Sequence, residues 1–153
     1  MNNALMFSSA TDEWETPQAL FDQLNAEFEF GWDLAASREN TKVPGRFFHK
    51  GYSAFDSAWT PNAGVYWCNP PYSRGLQAKF IAKAAEDTAR YGSTVVMLLP
   101  ARTDTKAFHA HIYDASQWSE RPGVEIRFLP GRLKFGGATN SAPFPSMVVV
   151  FRP

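Results

Sequence analysis

The strongest constraint on the fold is the run of residues 94–99, Thr-Val-Val-Met-Leu-Leu, which is apolar from its second residue onward. A strand without polar alternation must be covered on both faces, and such burial is typical of parallel sheets flanked by helices. Residues 17–27 and 75–91 show helical apolar spacing on either side of a predicted strand at 64–68. The alternation of strands and helices predicts an α/β sandwich with a mostly parallel sheet.

The remaining segments complete this prediction. Further strands are predicted at residues 30–34, 124–129 and 146–151, with a return strand at 132–135, and a third helix at 104–112. Residues 40–63 show no clear period and are predicted to be irregular. Because the last strands follow one another without a long helix between them, the C-terminal part of the sheet is expected to be antiparallel.

Length and composition favour a single domain. The chain has 153 residues, 44% of them hydrophobic, and one cysteine, Cys68, which excludes an internal disulfide and a zinc site built on several thiolates. The three histidines show no ligand spacing, so no metal is expected. There is no apolar run of about 20 residues and no signal-peptide pattern, so we expect a cytoplasmic protein without a membrane segment. Residues 1–12 are expected to be a flexible N-terminus, and residues 13–153 the domain.

The charge is unevenly distributed although the net charge is zero. Residues 1–40 carry eight acids and one base, which leaves seven acids and fourteen bases for the rest of the chain. This asymmetry is compatible with a face for a polyanion and equally with two solvated surfaces of opposite sign.

The segment after the predicted strand at residues 64–68 is Asn69-Pro70-Pro71-Tyr72. Ligands of open α/β sheets bind beyond the carboxyl ends of the strands. The Asn69 side-chain oxygen and the Pro70 carbonyl can each accept a hydrogen bond from an exocyclic amine, and the prolines restrict the backbone that holds them. Tyr72 offers a ring for stacking on a planar base. Two acceptors on one NH₂ group direct its lone pair outward, so that the amine can attack an electrophilic methyl group without a strong base.

Six blocks, in this order, resemble the phage DNA N6-adenine methyltransferase family, often called phage Dam-type, and the tetrad resembles the catalytic motif of S-adenosylmethionine-dependent amino-methyltransferases. The blocks are Trp14-Glu15-Thr16-Pro17, Trp32-Asp33-Leu34-Ala35-Ala36-Ser37 with Glu39-Asn40, Phe55-Asp56-Ser57-Ala58-Trp59, Trp67-Cys68-Asn69-Pro70-Pro71-Tyr72-Ser73, Leu99-Pro100-Ala101-Arg102-Thr103-Asp104-Thr105 and Ala142-Pro143-Phe144-Pro145-Ser146. The resemblance implies a compact Rossmann-like methyltransferase fold and methyl transfer from S-adenosylmethionine to adenine N6 in double-stranded DNA. It implies a catalytic role for Asn69, Pro70, Pro71 and Tyr72. It also implies a phage or prophage origin, action in the bacterial host cytoplasm, and protection of DNA from restriction.

The resemblance further implies that the block from Asp33 to Ser37 is the cofactor loop. Asp33 is expected to accept a hydrogen bond from the amino group of the cofactor, or else to be a turn carboxylate. Ala35 and Ser37 are small enough for the cofactor to approach the backbone. One departure is that no glycine lies between Gly31 and Gly45, where many methyltransferases carry a glycine-rich loop.

Two more cofactor contacts are expected. Thr16 and Pro17 open a helix whose free N–H groups are suited to the carboxylate of the cofactor, with an ordinary helix cap as the alternative. Asp56 is expected to accept a hydrogen bond from the adenine amine or the ribose hydroxyls of the cofactor. The sequence favours this role and a role without cofactor contact equally.

The DNA contacts are expected late in the chain. The target adenine must be flipped, because its N6 lies inside the duplex. Candidate bases that would neutralise phosphates follow strand ends or turns, namely Arg102, Lys106, Arg132 and Lys134. The alternative for the last two is a solvated edge strand protected by charge.

Other functions stay open at this stage. A related tetrad serves methylation of cytosine N4 or of a glutamine amide. A methyltransferase-like module that binds DNA or a protein without turnover is compatible with the missing glycine loop. A nucleotide-binding domain of another kind is disfavoured, since the chain has no P-loop and no GxGxxG. The sequence does not indicate an oligomeric state.

Overall fold

The structure is a computed structural model that describes residues 14–36, 41–44, 46–49, 54–73, 75–136 and 138–153. The predicted flexible segment, residues 1–12, lies outside the described residues. The helices and strands in chain order are α1 (Gln18–Phe28), β1 (Phe30–Ala36), β2 (Phe47–His49), β3 (Val65–Cys68), α2 (Leu76–Tyr91), β4 (Val95–Pro100), β5 (Tyr113–Asp114), β6 (Ser119–Glu120), β7 (Val124–Phe128) and β8 (Ser146–Phe151). Short 3-10 helices cover Ala54–Asp56 and Pro61–Ala63, and a π-helical turn covers Phe108–Ile112.

Six of the strands form one sheet in the order β2-β1-β3-β4-β8-β7. Strands β2, β1, β3 and β4 are parallel to one another. Strand β8 is antiparallel to both of its neighbours, so β7 points in the same direction as the first four strands. The predicted mostly parallel sheet with antiparallel pairing near the C-terminus is confirmed. Strands β5 and β6 form a separate antiparallel hairpin.

Two neighbouring inner strands of the sheet, β4 and β8, are covered on both faces, as the apolar run predicts for β4. Every residue of β4 and β8 is buried. Helix α2 packs on one face through Phe80 and Ile81, and α1 packs on the other through Phe21 and Leu24. Full burial of such side chains contributes about 1.5–3 kcal/mol each. Within the described ranges, no helix is long and apolar enough to cross a bilayer.

Two local predictions are wrong and a third, the helix, is confirmed in part, each where a distant contact decides the structure. Residues 132–135 form no strand, because the Phe135 side chain is buried against the α1 face of the sheet. The predicted helix at 104–112 ends in a π-helical turn, where the Arg121 guanidinium donates hydrogen bonds to the His109 carbonyl. Strand β2 lies in the segment predicted to be irregular and is fixed by pairing with β1.

The segment before β3 is held to helix α2 by a buried carboxylate. Asp87 is 6% exposed, and its Oδ2 accepts a hydrogen bond of 2.9 Å from the Trp59 backbone N–H. The same oxygen lies 2.9 Å from Lys83 Nζ, which in turn sits 5.1 Å from the centre of the Trp59 ring. Asp87 therefore anchors the end of the segment that carries Asp56.

Replacement of Asp87 by alanine is expected to lower the free energy of unfolding by about 2 kcal/mol, since it leaves a buried Trp59 N–H without an acceptor. Asp87→Asn keeps an acceptor and is expected to lose less. Urea unfolding measures both effects. The control is Glu86→Ala, an exposed position one residue earlier on α2, and an equal loss in the control would contradict the anchoring role.

Candidate active site

The polar residues that follow β3 meet other strand ends at one edge of the sheet. Because β1, β3 and β4 are parallel, their carboxyl ends lie on the same side. Asp33 in β1 pairs in register with Trp67, two residues before Asn69. Strand β4 ends at Pro100, so Arg102 also follows the carboxyl end of its strand.

The Asn69 amide has a defined orientation. Its Nδ2 donates to the Trp14 carbonyl and, at 3.0 Å, to Thr16 Oγ1. A carbonyl oxygen can only accept, so the NH₂ group must face Trp14. The other end of the amide, Oδ1, is buried and has no hydrogen-bond partner among the described residues. The site therefore presents an unused acceptor, which is costly to bury unless a ligand pairs with it.

A second acceptor lies one residue further along the chain. Pro70 and Pro71 are both buried, and their rings restrict the backbone between Asn69 and Tyr72. In the described part of the chain, no N–H or O–H group donates to the Pro70 carbonyl. Neither of the two acceptors predicted from the sequence thus has a hydrogen-bond partner within the described ranges.

An aromatic cluster surrounds the last residue of the tetrad. The Tyr72 ring lies edge-on to Phe144 at 5.4 Å and to Phe135 at 6.3 Å between centroids. Trp14 contacts the same two rings at 5.4 and 5.2 Å. The Tyr72 hydroxyl is 3.5 Å from the Leu98 carbonyl, and burial raises the pKa of this phenol far above its usual value. These four residues are together called the aromatic cluster: Trp14, Tyr72, Phe135 and Phe144. Trp14 links the cluster to the Asn69 amide through its backbone carbonyl.

Sequence reasoning missed one member of this cluster, Phe135, which belongs to the segment predicted as an edge strand. Phe144 lies in the last of the six blocks that carry the family resemblance. The available signal was the high aromatic content of 15% in segments that show no secondary-structure period.

Asp33 is almost completely buried, with 2% of its surface exposed. Its carboxylate accepts hydrogen bonds from the backbone N–H groups of Ala35 at 3.2 Å and Lys42 at 3.0 Å. Desolvation by burial raises its pKa to about 6, against the lowering effect of these bonds. The carboxylate thus ties the end of β1 to the segment that leads into β2.

The other residues predicted to bind the cofactor occupy different environments. Thr16 is 3% exposed and bonds to Asn69, while Pro17 is the N-cap residue of α1, which has no side-chain cap. The alternative of an ordinary Thr16 cap is therefore wrong, because the hydroxyl is engaged by a residue 53 positions away. Ala35 is half-buried in β1, and Asp56 is exposed in its 3-10 helix. Ser37 lies outside the described residues.

The four predicted DNA-binding residues, Arg102, Lys106, Arg132 and Lys134, are all exposed. None of them forms an ion pair with another described residue. Arg102 also touches the aromatic cluster, since its guanidinium carbon lies 5.8 Å from the centre of the Phe144 ring. One of the four predicted DNA-binding cations therefore adjoins the aromatic cluster. Across the described ranges, no three His, Cys, Asp or Glu side chains are grouped so that they could hold a metal ion.

Comparison with known proteins gives a consistent result. The family model described as DNA N-6-adenine-methyltransferase (Dam) matches residues 4–153. A protein of Haemophilus phage HP1 (strain HP1c1) named DNA N-6-adenine-methyltransferase is 31% identical over 148 residues, which cover 95% of this chain and 81% of that protein. A protein of Escherichia phage T1 with the same name is 36% identical over 98 residues, which cover 63% of this chain and 39% of that protein.

The raised pKa of Asp33 predicts a pH dependence of stability. The folded-state pKa of about 6 lies above the ordinary value of 3.8. The contribution of protonated Asp33 to the free energy of unfolding is therefore fully present below pH 3.8 and is lost as the pH rises through 6. The difference corresponds to about 3 kcal/mol. Glu125, whose pKa is lowered to about 2 by its bonds to Arg127 and Arg152, acts in the opposite sense and only at lower pH.

Urea unfolding between pH 4.5 and 7 tests this effect. The free energy of unfolding of the wild type is expected to fall across this range, and that of Asp33→Asn to lack this component because an amide does not titrate. The same pH dependence in both proteins would contradict the assignment.

Proposed function

Because the chain belongs to the DNA N-6-adenine-methyltransferase (Dam) family, we propose that it methylates adenine N6 in DNA with Asn69 Oδ1 and the Pro70 carbonyl as the two groups that hold the amine. The observation that carries this assignment is that Asn69 Oδ1 is buried without a hydrogen-bond partner in the described part of the chain, while the amide nitrogen is already held by Trp14 and Thr16. A site that fixes one end of an amide and leaves the other free is prepared to accept a hydrogen bond.

The chemistry follows from the two acceptors. Each takes one N–H of the adenine amine, which draws the nitrogen lone pair out of conjugation with the ring and directs it away from both hydrogen bonds. The amine nitrogen can then form a bond to the methyl carbon as the bond between that carbon and the sulfonium sulfur breaks, and the sulfur keeps the electron pair as a neutral thioether. The methylated nitrogen afterwards releases one proton to water. Asn69 is neutral and cannot take that proton, so its contribution is positioning and electrostatic stabilisation.

S-adenosylmethionine is the methyl donor in this proposal, and when bound it supplies an electrophilic methyl group on a sulfonium. The residues near the strand ends fit such a group. Helix α1 begins at Pro17 without a side-chain cap, so its first N–H groups are available to a carboxylate. Ala35 presents little side-chain bulk where β1 ends, and Asp56 stands exposed as an acceptor. Asp33 would act mainly by holding the backbone N–H groups of Ala35 and Lys42 in the loop after β1. Ser37, the last residue of the predicted cofactor loop, would add a contact to the cofactor.

The sheet supports assignment to a compact Rossmann-like methyltransferase fold. Its four parallel strands place β1 and β3 side by side at the carboxyl edge, and the antiparallel β8 is inserted between β4 and β7. Domain 13–153 would then be one methyltransferase unit. The ligand edge of such a sheet is the edge at which Asn69 lies.

The DNA is expected to approach this edge as a duplex with one adenine flipped. Tyr72, which is half-buried, is the member of the aromatic cluster that would stack on the extruded base, while Phe135 and Phe144 are buried against it. Arg102, Lys106, Arg132 and Lys134 would neutralise phosphates around it. The phage sources of the two relatives support action in the cytoplasm of a bacterial host, where methylation would protect DNA from restriction.

Asn69→Ala is expected to lower kcat at least 100-fold, because removal of one preorganised partner of the reacting group has effects of roughly this size. The measurement is transfer of a tritiated methyl group from S-adenosylmethionine to unmethylated DNA, followed by nucleoside analysis. The label is expected in N6-methyladenine. The control is Asn62→Ala, an exposed position in the 3-10 helix at the opposite end of β3, which is expected to leave kcat unchanged.

Label in N4-methylcytosine or in protein glutamine would contradict adenine specificity. Absence of transfer, together with intact DNA binding, would support a non-catalytic binding module instead. Equal rates for wild type and Asn69→Ala would contradict the mechanism.

Thr16→Val separates two roles of the Thr16 hydroxyl. If Thr16 acts through Asn69, kcat is expected to fall about tenfold through the loss of one hydrogen bond, while KM for S-adenosylmethionine stays unchanged. Thr16→Ser, which keeps the hydroxyl, is expected to restore kcat. A rise in KM for S-adenosylmethionine with unchanged kcat would show instead that Thr16 binds the cofactor.

A further inference from the structure

A second concave surface lies apart from the aromatic cluster. It is a groove of about 330 Å³, here called the Phe128 groove, lined by Thr103, Phe108, His109, Tyr113, Glu120, Ile126 and Phe128. It lies between the π-helical turn, the β5–β6 hairpin and the edge strand β7. Volumes of this order are typical of sites for small planar ligands.

The register of the sheet shows that this groove lies at the same carboxyl edge of the sheet as Asn69. Cys68 pairs with Met97 in β4, and Met97 pairs with Val149 in β8. Val149 pairs in turn with Ile126 in β7. Cys68 and Ile126 therefore lie in one row across the sheet, and Phe128 lies two residues beyond that row in the direction of Asn69. Three strand spacings, roughly 14 Å, separate the axes of β3 and β7 along the sheet. The groove residues Phe108 and Ile126 pack on the α2 face of the sheet, whereas the aromatic cluster packs on the α1 face, so the groove opens at the same carboxyl edge but on the other face.

The walls of the groove are aromatic. The rings of Phe108 and Tyr113 are stacked with centroids 5.8 Å apart, and the His109 ring contacts both edge-on. Phe128 is 61% exposed although it ends a strand whose neighbours are half-buried. An exposed phenylalanine at the mouth of an aromatic groove offers a face on which a planar ring can stack.

The charges in and around the groove distinguish a base from a phosphate. The Glu120 carboxylate lines the groove and accepts a bond of 3.3 Å from the Ile126 N–H, so an anion inside would be repelled. Thr103, at its rim, stands in the sequence between the exposed cations Arg102 and Lys106. Arg132 follows Phe128 by four residues and is also exposed. Phosphates are favoured outside the groove and an uncharged base inside it.

We propose that the Phe128 groove takes the base of the complementary strand that loses its partner when the target adenine is flipped, with this base stacked on Phe128. The inference rests on the proposed function and adds a second DNA-binding site to it. Extrusion of a base costs a few kcal/mol when it is paired and least when it is already unpaired. The orphaned base is therefore the cheapest second base to unstack, and the groove opens at the carboxyl edge of the sheet at which Asn69 also lies.

The test measures whether the effect of a substitution at Phe128 on DNA affinity depends on the base opposite the target adenine. The probe is a fluorescein-labelled duplex with one adenine that the wild type methylates, and a second duplex that differs only by an abasic nucleotide opposite this adenine. Kd is measured by anisotropy with S-adenosylhomocysteine present, so that no turnover occurs. The proteins are the wild type, Phe128→Ala, Phe128→Trp and Trp118→Ala, the last a control at an 82% exposed residue of the hairpin that does not line the groove.

Phe128→Ala is expected to weaken binding of the intact duplex roughly 5- to 100-fold, the range found for loss of one stacked base. On the abasic duplex it is expected to change Kd less than twofold. Phe128→Trp is expected to bind both duplexes as the wild type does, and Trp118→Ala to change neither.

Equal effects of Phe128→Ala on both duplexes, or no effect on either, would overturn the inference. So would a wild-type dimer that Phe128→Ala dissociates with unchanged DNA affinity, since a second copy would then occupy the groove. If the wild type methylates the duplex but the effect of Phe128→Ala on Kd does not depend on the abasic nucleotide, only this inference fails. If no DNA is methylated at all, the proposed function fails as well.

Discussion

The Asn69 amide, fixed by the Trp14 carbonyl and the Thr16 hydroxyl, is the interaction on which the site depends. A free asparagine can present its oxygen or its NH₂ group with almost equal ease, and only the oxygen is useful for holding an amine. Two acceptors on the same side remove this ambiguity, because an inverted amide would place its oxygen against the lone pairs of a carbonyl. The resulting preorganisation means that no rotation has to precede the reaction.

The same short segment before α1 holds other parts of the site together. The Glu15 carbonyl accepts from the Gly136 N–H at 2.9 Å, and a Cβ at Gly136 would lie only 3.0 Å from the Glu15 side chain. Lys42 bonds to Gln18 and lies 3.5 Å from Glu15, which connects the start of α1 with the loop tied by Asp33. The backbone from Trp14 to Pro17 therefore sets the positions of Asn69, of the loop before β8 and of the loop after β1 at once.

The parts of the fold that could be predicted from the sequence are those whose signal is local. Strand β8 begins and ends as predicted, and α1 and α2 deviate by about one residue, because apolar periodicity reflects the sheet face that each element covers. The tetrad could be located because a strand followed by two prolines has to end at a sheet edge. Thr16 was interpretable from the sequence only as a cap or a cofactor contact, since its partner Asn69 lies 53 positions away. Phe135 shows the same limitation, as its burial depends on Trp14 and Phe144 and on no pattern in its own segment.

The electrostatics of the edge explain why a neutral amide suits this position better than a carboxylate. Burial raises the pKa of the Cys68 thiol, with the Asp33 charge as a further cause, and burial likewise raises the pKa of the Tyr72 phenol, so both groups stay protonated. A second carboxylate at residue 69 would pay a desolvation cost and repulsion from Asp33, and its second oxygen would face the Trp14 carbonyl without a proton to share. A neutral acceptor avoids these costs, and the low local dielectric strengthens the hydrogen bond that it makes. The amine is thus held by dipoles that were oriented when the chain folded.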